Sequence, residues 1–285
     1  MSRIHWRALV LVLVTAAALR TGAQAATLEE RFEHTYPLAA GGTFTLGNVN
    51  GAIEVAPWDR AEVRVNATKH VRAGSEERAK ELLKALEIRV TPGAGQVRVD
   101  TRYPQMPNGF WSWLAGGGTE ASVAYRVDVP RQVRLKLETV NGAVLVRGTE
   151  GQASLQTVNG RLRAEGVRGH LELETTNGAI AVTGGAGAVH ASTTNGAIDV
   201  QLATLPPGDR LQLETTNGAV TLRMPRGARA SLEAETVNGA VESDLPIAAR
   251  GKVGRHHLAG DLNGGGEKIE ISTTNGGIHL QESRR

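Results

Sequence analysis

Residues 171–182 read Leu171-Glu172-Leu173-Glu174-Thr175-Thr176-Asn177-Gly178-Ala179-Ile180-Ala181-Val182. Apolar residues alternate on both sides of Asn177-Gly178, six and four positions before the Asn and three and five after it. An unbroken strand would send the two sets to opposite faces, because side chains alternate. A corner at Asn-Gly shifts the parity and lets Leu171 and Leu173 face Ile180 and Val182. Gly is expected there because the corner calls for positive φ, and Asn tolerates positive φ best among other residues.

The phrase occurs eight times, at Asn50, Asn141, Asn159, Asn177, Asn195, Asn217, Asn238 and Asn275. From Asn141 the steps are 18, 18, 18, 22, 21 and 37 residues. Thr stands two before the Asn in every unit from Asn141 onward. Asn-Gly between alternating runs is also a strong hairpin signal. A chain of hairpins, however, makes one wide sheet whose apolar face needs a cover, and the sequence offers a single helix for that. A coil closes each unit's two apolar faces on each other and stacks like residues in register, for which equal steps are needed. The expected fold is therefore all-β: a single-domain β-solenoid of about 18-residue rungs with Asn-Gly corners. A buried Asn must satisfy its amide, and a ladder of stacked Asn does so along the axis. The eight asparagines are thus expected to be internal pillars rather than ligands.

Before the tandem units, Phe32, His34 and Tyr36 share one face of an alternating run, as do Val63, Val65 and Ala67. Residues 75–87 carry the one helix. Ser75 is placed to cap it, Glu76 and Glu77 sit at its positive end, and Ala79, Leu82, Leu83 and Leu86 form its apolar stripe. The helix is expected to cover an open end or flank of a sheet. Val97 to Tyr103 is expected to pair with Ala121 to Val129. Between them, 104–120 is a loop holding Phe110, Trp111, Trp113 and Leu114. Exposed, these four form a patch for a partner; buried, they plug an end of the solenoid.

The first 25 residues are set apart. Arg3 and Arg7 precede the apolar stretch Ala8–Leu19, and Ala23-Gln24-Ala25 is a small-x-small cleavage site. This is the pattern of a secretory signal peptide cut after Ala25, with an uncleaved anchor as the alternative. The expected divisions are then 1–25 signal, 26–134 an N-terminal β region, and 135–285 a repeat solenoid continuous with it. Removing Arg3, Arg7 and Arg20 leaves 29 basic against 29 acidic residues. The net charge of +3 for the whole chain is then no signal for nucleic acid. The chain has no Cys, so no disulfide holds it.

The tandem (T/S)-x-N-G-x-apolar phrase after a signal peptide resembles the DUF4097 family of proposed adhesins, which is related to the toastrack β-solenoid domains. The likeness takes in Ala56-Pro57-Trp58-Asp59-Arg60, the Ser75 helix, Val123 to Pro130 and the final Leu258 to Leu280, covering most of 30–280. It implies an exported β-solenoid with roles in adhesion or envelope stress. It implies no catalytic residues, and it does not account for the Phe110–Leu114 run.

No chemistry-bearing motif emerges. His256-His257 is the one adjacent His pair, and calcium-roll Asp positions are missing. No G-x-S-x-G and no nucleotide-binding glycine loop occurs, so no catalytic residue, cofactor or metal is expected. Glu138, Glu174, Glu214 and Glu235 share one outward position, which reads as a solvated face. The expected function is a non-catalytic, exported module for envelope binding, adhesion or scaffolding, periplasmic or at the cell surface. Its partner would be an envelope protein or polysaccharide, and its first candidate contacts are Phe110, Trp111, Trp113 and Leu114. The alternatives are a regulatory component of an envelope-stress system and, more remotely, a carbohydrate-active enzyme, which would need two acids converging in a groove.

Overall fold

The structure is a computed structural model that describes residues 25–103, 119–205, 208, 210–250 and 254–283. The N-terminal elements are β1 (Ala26–Pro37), β2 (Gly42–Gly47), β3 (Ile53–Trp58), β4 (Glu62–Ala73), α1 (Glu76–Ala85), β5 (Glu87–Gly93), β6 (Gln96–Arg102) and β7 (Glu120–Pro130). Five two-strand units follow: β8 and β9 (Val133–Asn141, Val144–Arg147), β10 and β11 (Ala153–Asn159, Leu162–Glu165), β12 and β13 (Leu171–Asn177, Ile180–Ala186), β14 and β15 (Val189–Asn195, Ile198–Thr204), β16 and β17 (Leu211–Asn217, Val220–Met224). The chain closes with β18 (Ala230–Thr236), β19 (Val241–Ser243), β20 (Ile247–Ala249), β21 (His257–Leu262), β22 (Glu267–Asn275) and β23 (Ile278–Glu282).

Every unit places its first strand in one sheet and its second in the other. The 11-stranded sheet, here sheet A, runs β1-β4-β7-β3-β9-β11-β13-β15-β17-β23-β19. The 12-stranded sheet B runs β20-β21-β18-β22-β16-β14-β12-β10-β8-β2-β6-β5. Within the stack the strands are parallel and in register, Leu171 beside Ala153 and Val189, Thr175 beside Thr157 and Thr193. The fold is a β-solenoid. The parity shift does what its spacing implies: Leu171 and Leu173 from sheet B, and Ile180 and Val182 from sheet A, are all buried in the single core. Burying four such side chains contributes about 6–12 kcal/mol per rung before chain entropy is subtracted. That makes the core, not the corner, the dominant stabilising term.

Stacking order departs from chain order at both ends. The β6–β7 rung lies outside the β2–β3 rung, although it comes later in the chain. The β22–β23 rung slots between β16–β17 and β18–β19, although it comes last. The 37-residue step from Asn238 to Asn275 makes the second insertion feasible: the chain leaves β19, returns antiparallel along the outer edge of β18 as β21, and re-enters as β22. The expected pairing of Val97–Tyr103 with Ala121–Val129 is therefore not made. β6 joins β2 and β5 in sheet B, while β7 joins β3 and β4 in sheet A. Alternation within each strand was identical for either pairing, so pattern alone could not separate them. The two meet across the core, where the Thr101 and Tyr125 hydroxyls are 2.6 Å apart.

The helix spans Glu76–Ala85, with Ser75 Oγ accepting from the Arg78 N–H at 3.2 Å as its N-cap. It packs on β1 and β4 and buries Ala79 and Leu82, with Leu86 at its C-cap. It thus flanks the open end of sheet A.

Candidate functional site

The corner motif can be read atom by atom. Asn159 Nδ2 donates to Asn141 Oδ1 at 2.8 Å, Asn177 to Asn159 at 2.9 Å, Asn195 to Asn177 at 2.9 Å and Asn217 to Asn195 at 2.8 Å. At one end Asn141 donates to Asn50. At the other, Asn275 donates to Asn217 and Asn238 to Asn275, following the spatial order and not the chain. The asparagines are not internal pillars, however. Asn159, Asn177, Asn195, Asn217, Asn238 and Asn275 are exposed, Asn141 is half-buried, and Asn50 alone is buried. The inward slot at the corner belongs to the Thr two positions earlier, which is buried from Thr139 through Thr273.

That Thr has a defined task. Thr175 Oγ1 donates to the Gly160 carbonyl of the preceding rung at 3.3 Å, and Thr193, Thr215 and Thr273 do the same to Gly178, Gly196 and Gly218. Each hydroxyl satisfies a corner carbonyl beside the core, where an unpaired acceptor would cost about 1–3 kcal/mol.

The glycine has a different reason from the one its sequence suggests. Among the corner glycines only Gly51 has positive φ, at 121°. The others are required by axial crowding: a methyl on Gly178 would overlap the Gly160 carbonyl oxygen, and one on Gly196 would overlap that of Gly178. Positive φ is instead concentrated at the second corner, in Gly148, Gly166 and Gly184 (φ 60–66°). Their spacing of 18 is legible in the sequence.

The ladder's N-terminal end holds two residues that sequence reasoning passed over. Asn48 occupies the slot that Thr fills elsewhere, and its amide reaches the Val123 carbonyl at 2.9 Å on the out-of-order rung. The Tyr103 hydroxyl donates to Asn48 Oδ1 at 3.2 Å and accepts from the Asn50 N–H at 3.1 Å. Burial pushes the Tyr103 phenol up to about 12 and raises that of Tyr125 as well. The visible signal was Asn-x-Asn-Gly in place of Thr-x-Asn-Gly.

Thr, Asn and Gly of the corner are thus occupied by contacts between rungs. A groove of about 600 Å³ runs along the ladder on sheet B, from Gly47 and Asn48 past Glu138, Gln156 and Glu174 to Ser192. Val158 is exposed on its flank. Its outward side chains belong to one column that, in spatial order, reads Glu138, Gln156, Glu174, Ser192, Glu214, Ser272, Glu235. Carboxylate and neutral residue alternate throughout. Chain order would set Glu214 beside Glu235; insertion of β22 puts Ser272 between them. Neighbouring strands lie about 4.8 Å apart, so alternation removes like-charge contacts at that spacing. Gln156 Nε2 donates to Glu174 Oε2 at 3.2 Å within the column. Among the described residues no three His, Asp or Glu side chains form a metal-binding group. Phe110, Trp111, Trp113 and Leu114 lie outside the described residues.

The Toastrack DUF4097 family model matches residues 124–281. The chain belongs to the Toastrack DUF4097 family. No curated protein matches it. Among solved structures, this Toastrack chain is similar to a proposed cell adhesion protein from Clostridium sporogenes, at 12% identity and a TM-score of 0.40, covering 89% of this chain and 100% of that one. It is also similar to a proposed lipid binding protein from Parabacteroides distasonis (10% identity, TM-score 0.35, 88% and 96% covered) and a proposed adhesin from Bacteroides fragilis (9%, 0.34, 89% and 97%). No helix among the described residues is long and apolar enough to cross a membrane.

Proposed function

We propose that the protein is an exported, non-catalytic binding module of the cell envelope, and that the groove beside the ladder is its contact surface. The observation that carries this reading is the in-register column of hydrogen-bonding side chains along the groove. Glu138, Gln156, Glu174 and Ser192 come from four adjacent strands at one repeated spacing. A row of polar groups at constant pitch, beside an exposed Val158, suits an extended polymer with hydroxyl and C–H surfaces. We take an envelope polysaccharide as the partner class. The aromatic run of Phe110, Trp111, Trp113 and Leu114 is a second proposed contact, supported by its sequence alone.

The test is binding of the chain from Ala26 onward to a panel of purified envelope polysaccharides. A Gln156→Arg/Glu174→Arg variant and a variant lacking 104–120 are measured alongside. Retention of one polysaccharide by the parent and its loss in the groove variant supports the reading. Retention indifferent to both changes, or release of new sugar ends on incubation, overturns it.

A further inference from the structure

Sheet A ends in β1, a strand of 12 residues with no strand on its outer side among the described residues. Its backbone polarity can be assigned. The Leu38 N–H donates to the Ala61 carbonyl at 3.1 Å, continuing the Pro37–Glu62 register. Hydrogen-bonded pairs alternate in antiparallel ladders, so the even-numbered residues of β1 direct their N–H and C=O groups to β4. Thr27, Glu29, Arg31, Glu33 and Thr35 direct theirs outward. Pro37 shares that parity and has no N–H, as an edge position permits. Side chains divide in the same way: Leu28, Glu30, Phe32, His34 and Tyr36 are half-buried on the inner face, and the odd-numbered residues are exposed. Arg31 makes no ion pair among the described residues, whereas Glu30 is held by Lys69 at 2.8 Å.

We propose that β1 pairs antiparallel with β1 of a second copy of this chain, across a two-fold axis at Phe32, so that sheet A continues through a dimer. Outward-facing residues must oppose one another, so the axis passes through a residue and not between two. An axis at Glu29, Glu30, Arg31 or Glu33 sets that charged residue against itself. An axis at Leu28 or His34 leaves the ladder short. At Phe32 each Arg31 meets Glu33 of the other copy, each Glu30 meets His34, each Leu28 meets Tyr36, and the ladder runs from Thr27 to Pro37. It is the one register that uses nearly the whole strand and sets no like charges opposite one another. Charge on an edge strand ordinarily blocks pairing; here the same charges select a single self-complementary pairing.

The decisive measurement is the oligomeric state of the chain from Ala26 onward, by sedimentation equilibrium over a wide concentration range. A dimer is expected. Arg31→Glu alone and Glu33→Arg alone each weaken it by about tenfold or more, because both copies then carry like charges face to face. The double swap Arg31→Glu/Glu33→Arg restores it, since the opposing pair is only reversed. A second readout does not depend on charge. The chain has no Cys, so Phe32→Cys introduces a single thiol that faces its own copy in a non-hydrogen-bonded pair. Those Cβ atoms lie about 4.5–5.5 Å apart, close enough to oxidise to a cross-linked dimer, whereas Thr35→Cys faces Glu29 and does not cross-link. A monomer at every concentration, a dimer indifferent to both single swaps, or a double swap that fails to restore pairing overturns the proposal. None of these results bears on the groove reading.

Discussion

The two ends of the solenoid solve one problem with different means. Each must hide the unpaired edge of a parallel stack, and each does so by placing a rung out of chain order and adding antiparallel strands. At the N-terminal end the cover is apolar and deep. β4 and β1 extend sheet A, α1 flanks them with Ala79, Leu82 and Leu86 buried, and Tyr103 closes over Asn48 and Asn50. At the C-terminal end it is thin. β19 has three residues, β20 three more, Val237 is 61% exposed, and Ile247 only partly packs on the core. The contrast teaches that the fold is anchored more firmly from one side: the N-terminal cap is part of the core along β4, α1 and β7, while the C-terminal cap reaches it chiefly through Leu262 of β21.

The largest expected effect breaks the comparison directly. Leu86→Ala should cost about 2–5 kcal/mol and Ile247→Ala about 1 kcal/mol or less, because the first opens a cavity and the second trims a half-exposed side chain. Urea unfolding of both variants measures the difference; equal losses would show that the ends are equivalent. A middle-sized effect sharpens it. Tyr103 has a folded pKa of about 12 against 10.0 unfolded. The folded-state value is the raised one, so its contribution is complete below pH 10 and is lost as pH rises from 10 to 12. The wild-type chain should lose up to about 1.4 kcal/mol per pH unit across that window through this group. Tyr103→Phe should remove that share of the slope and leave the share due to Tyr125, whose phenol burial also raises, and hydrogen exchange should report opening at Asn50 and Val123 with β18 and β22 unchanged. The smallest effect is at the other end. Ser272→Glu sets a carboxylate between Glu214 and Glu235 and should cost about 0.5–1 kcal/mol at low salt. Crowding raises carboxylate pKa values, so the deficit should shrink with added salt and on acidification through the carboxylate range, as thermal melts would show.

The middle of the molecule was legible in the sequence, because its determinants are local. The parity of Leu171, Leu173, Ile180 and Val182 about Asn177 defines a rung, and equal steps of 18 define a stack. The ends were not legible, because which rung adjoins which is decided by contacts far apart in the chain. Asn48 reaches Val123, and Ser272 separates Glu214 from Glu235; neither shows in a local window. The corner itself was half legible. Gly178 was identified for its conformational freedom, yet it is crowding by Gly160 that excludes a side chain, and such crowding exists only once rungs are stacked. The groove escaped notice for a related reason. Glu138, Gln156, Glu174 and Ser192 alternate in chain order too, but Glu214 and Glu235 follow there as consecutive carboxylates, and the alternation is complete only when β22 sets Ser272 between them.

The displaced rungs at both ends also bear on how such a chain can change in length. An interior unit such as β10–β11 meets unbroken in-register neighbours above and below, so gain or loss of one 18-residue copy leaves every contact type intact. The first and last Asn-Gly units have no such freedom, because each is locked between an ordinary rung and a cap supplied by a different part of the chain. Relatives that differ in size should therefore vary in the number of central copies, while both outer pairs of rungs stay fixed.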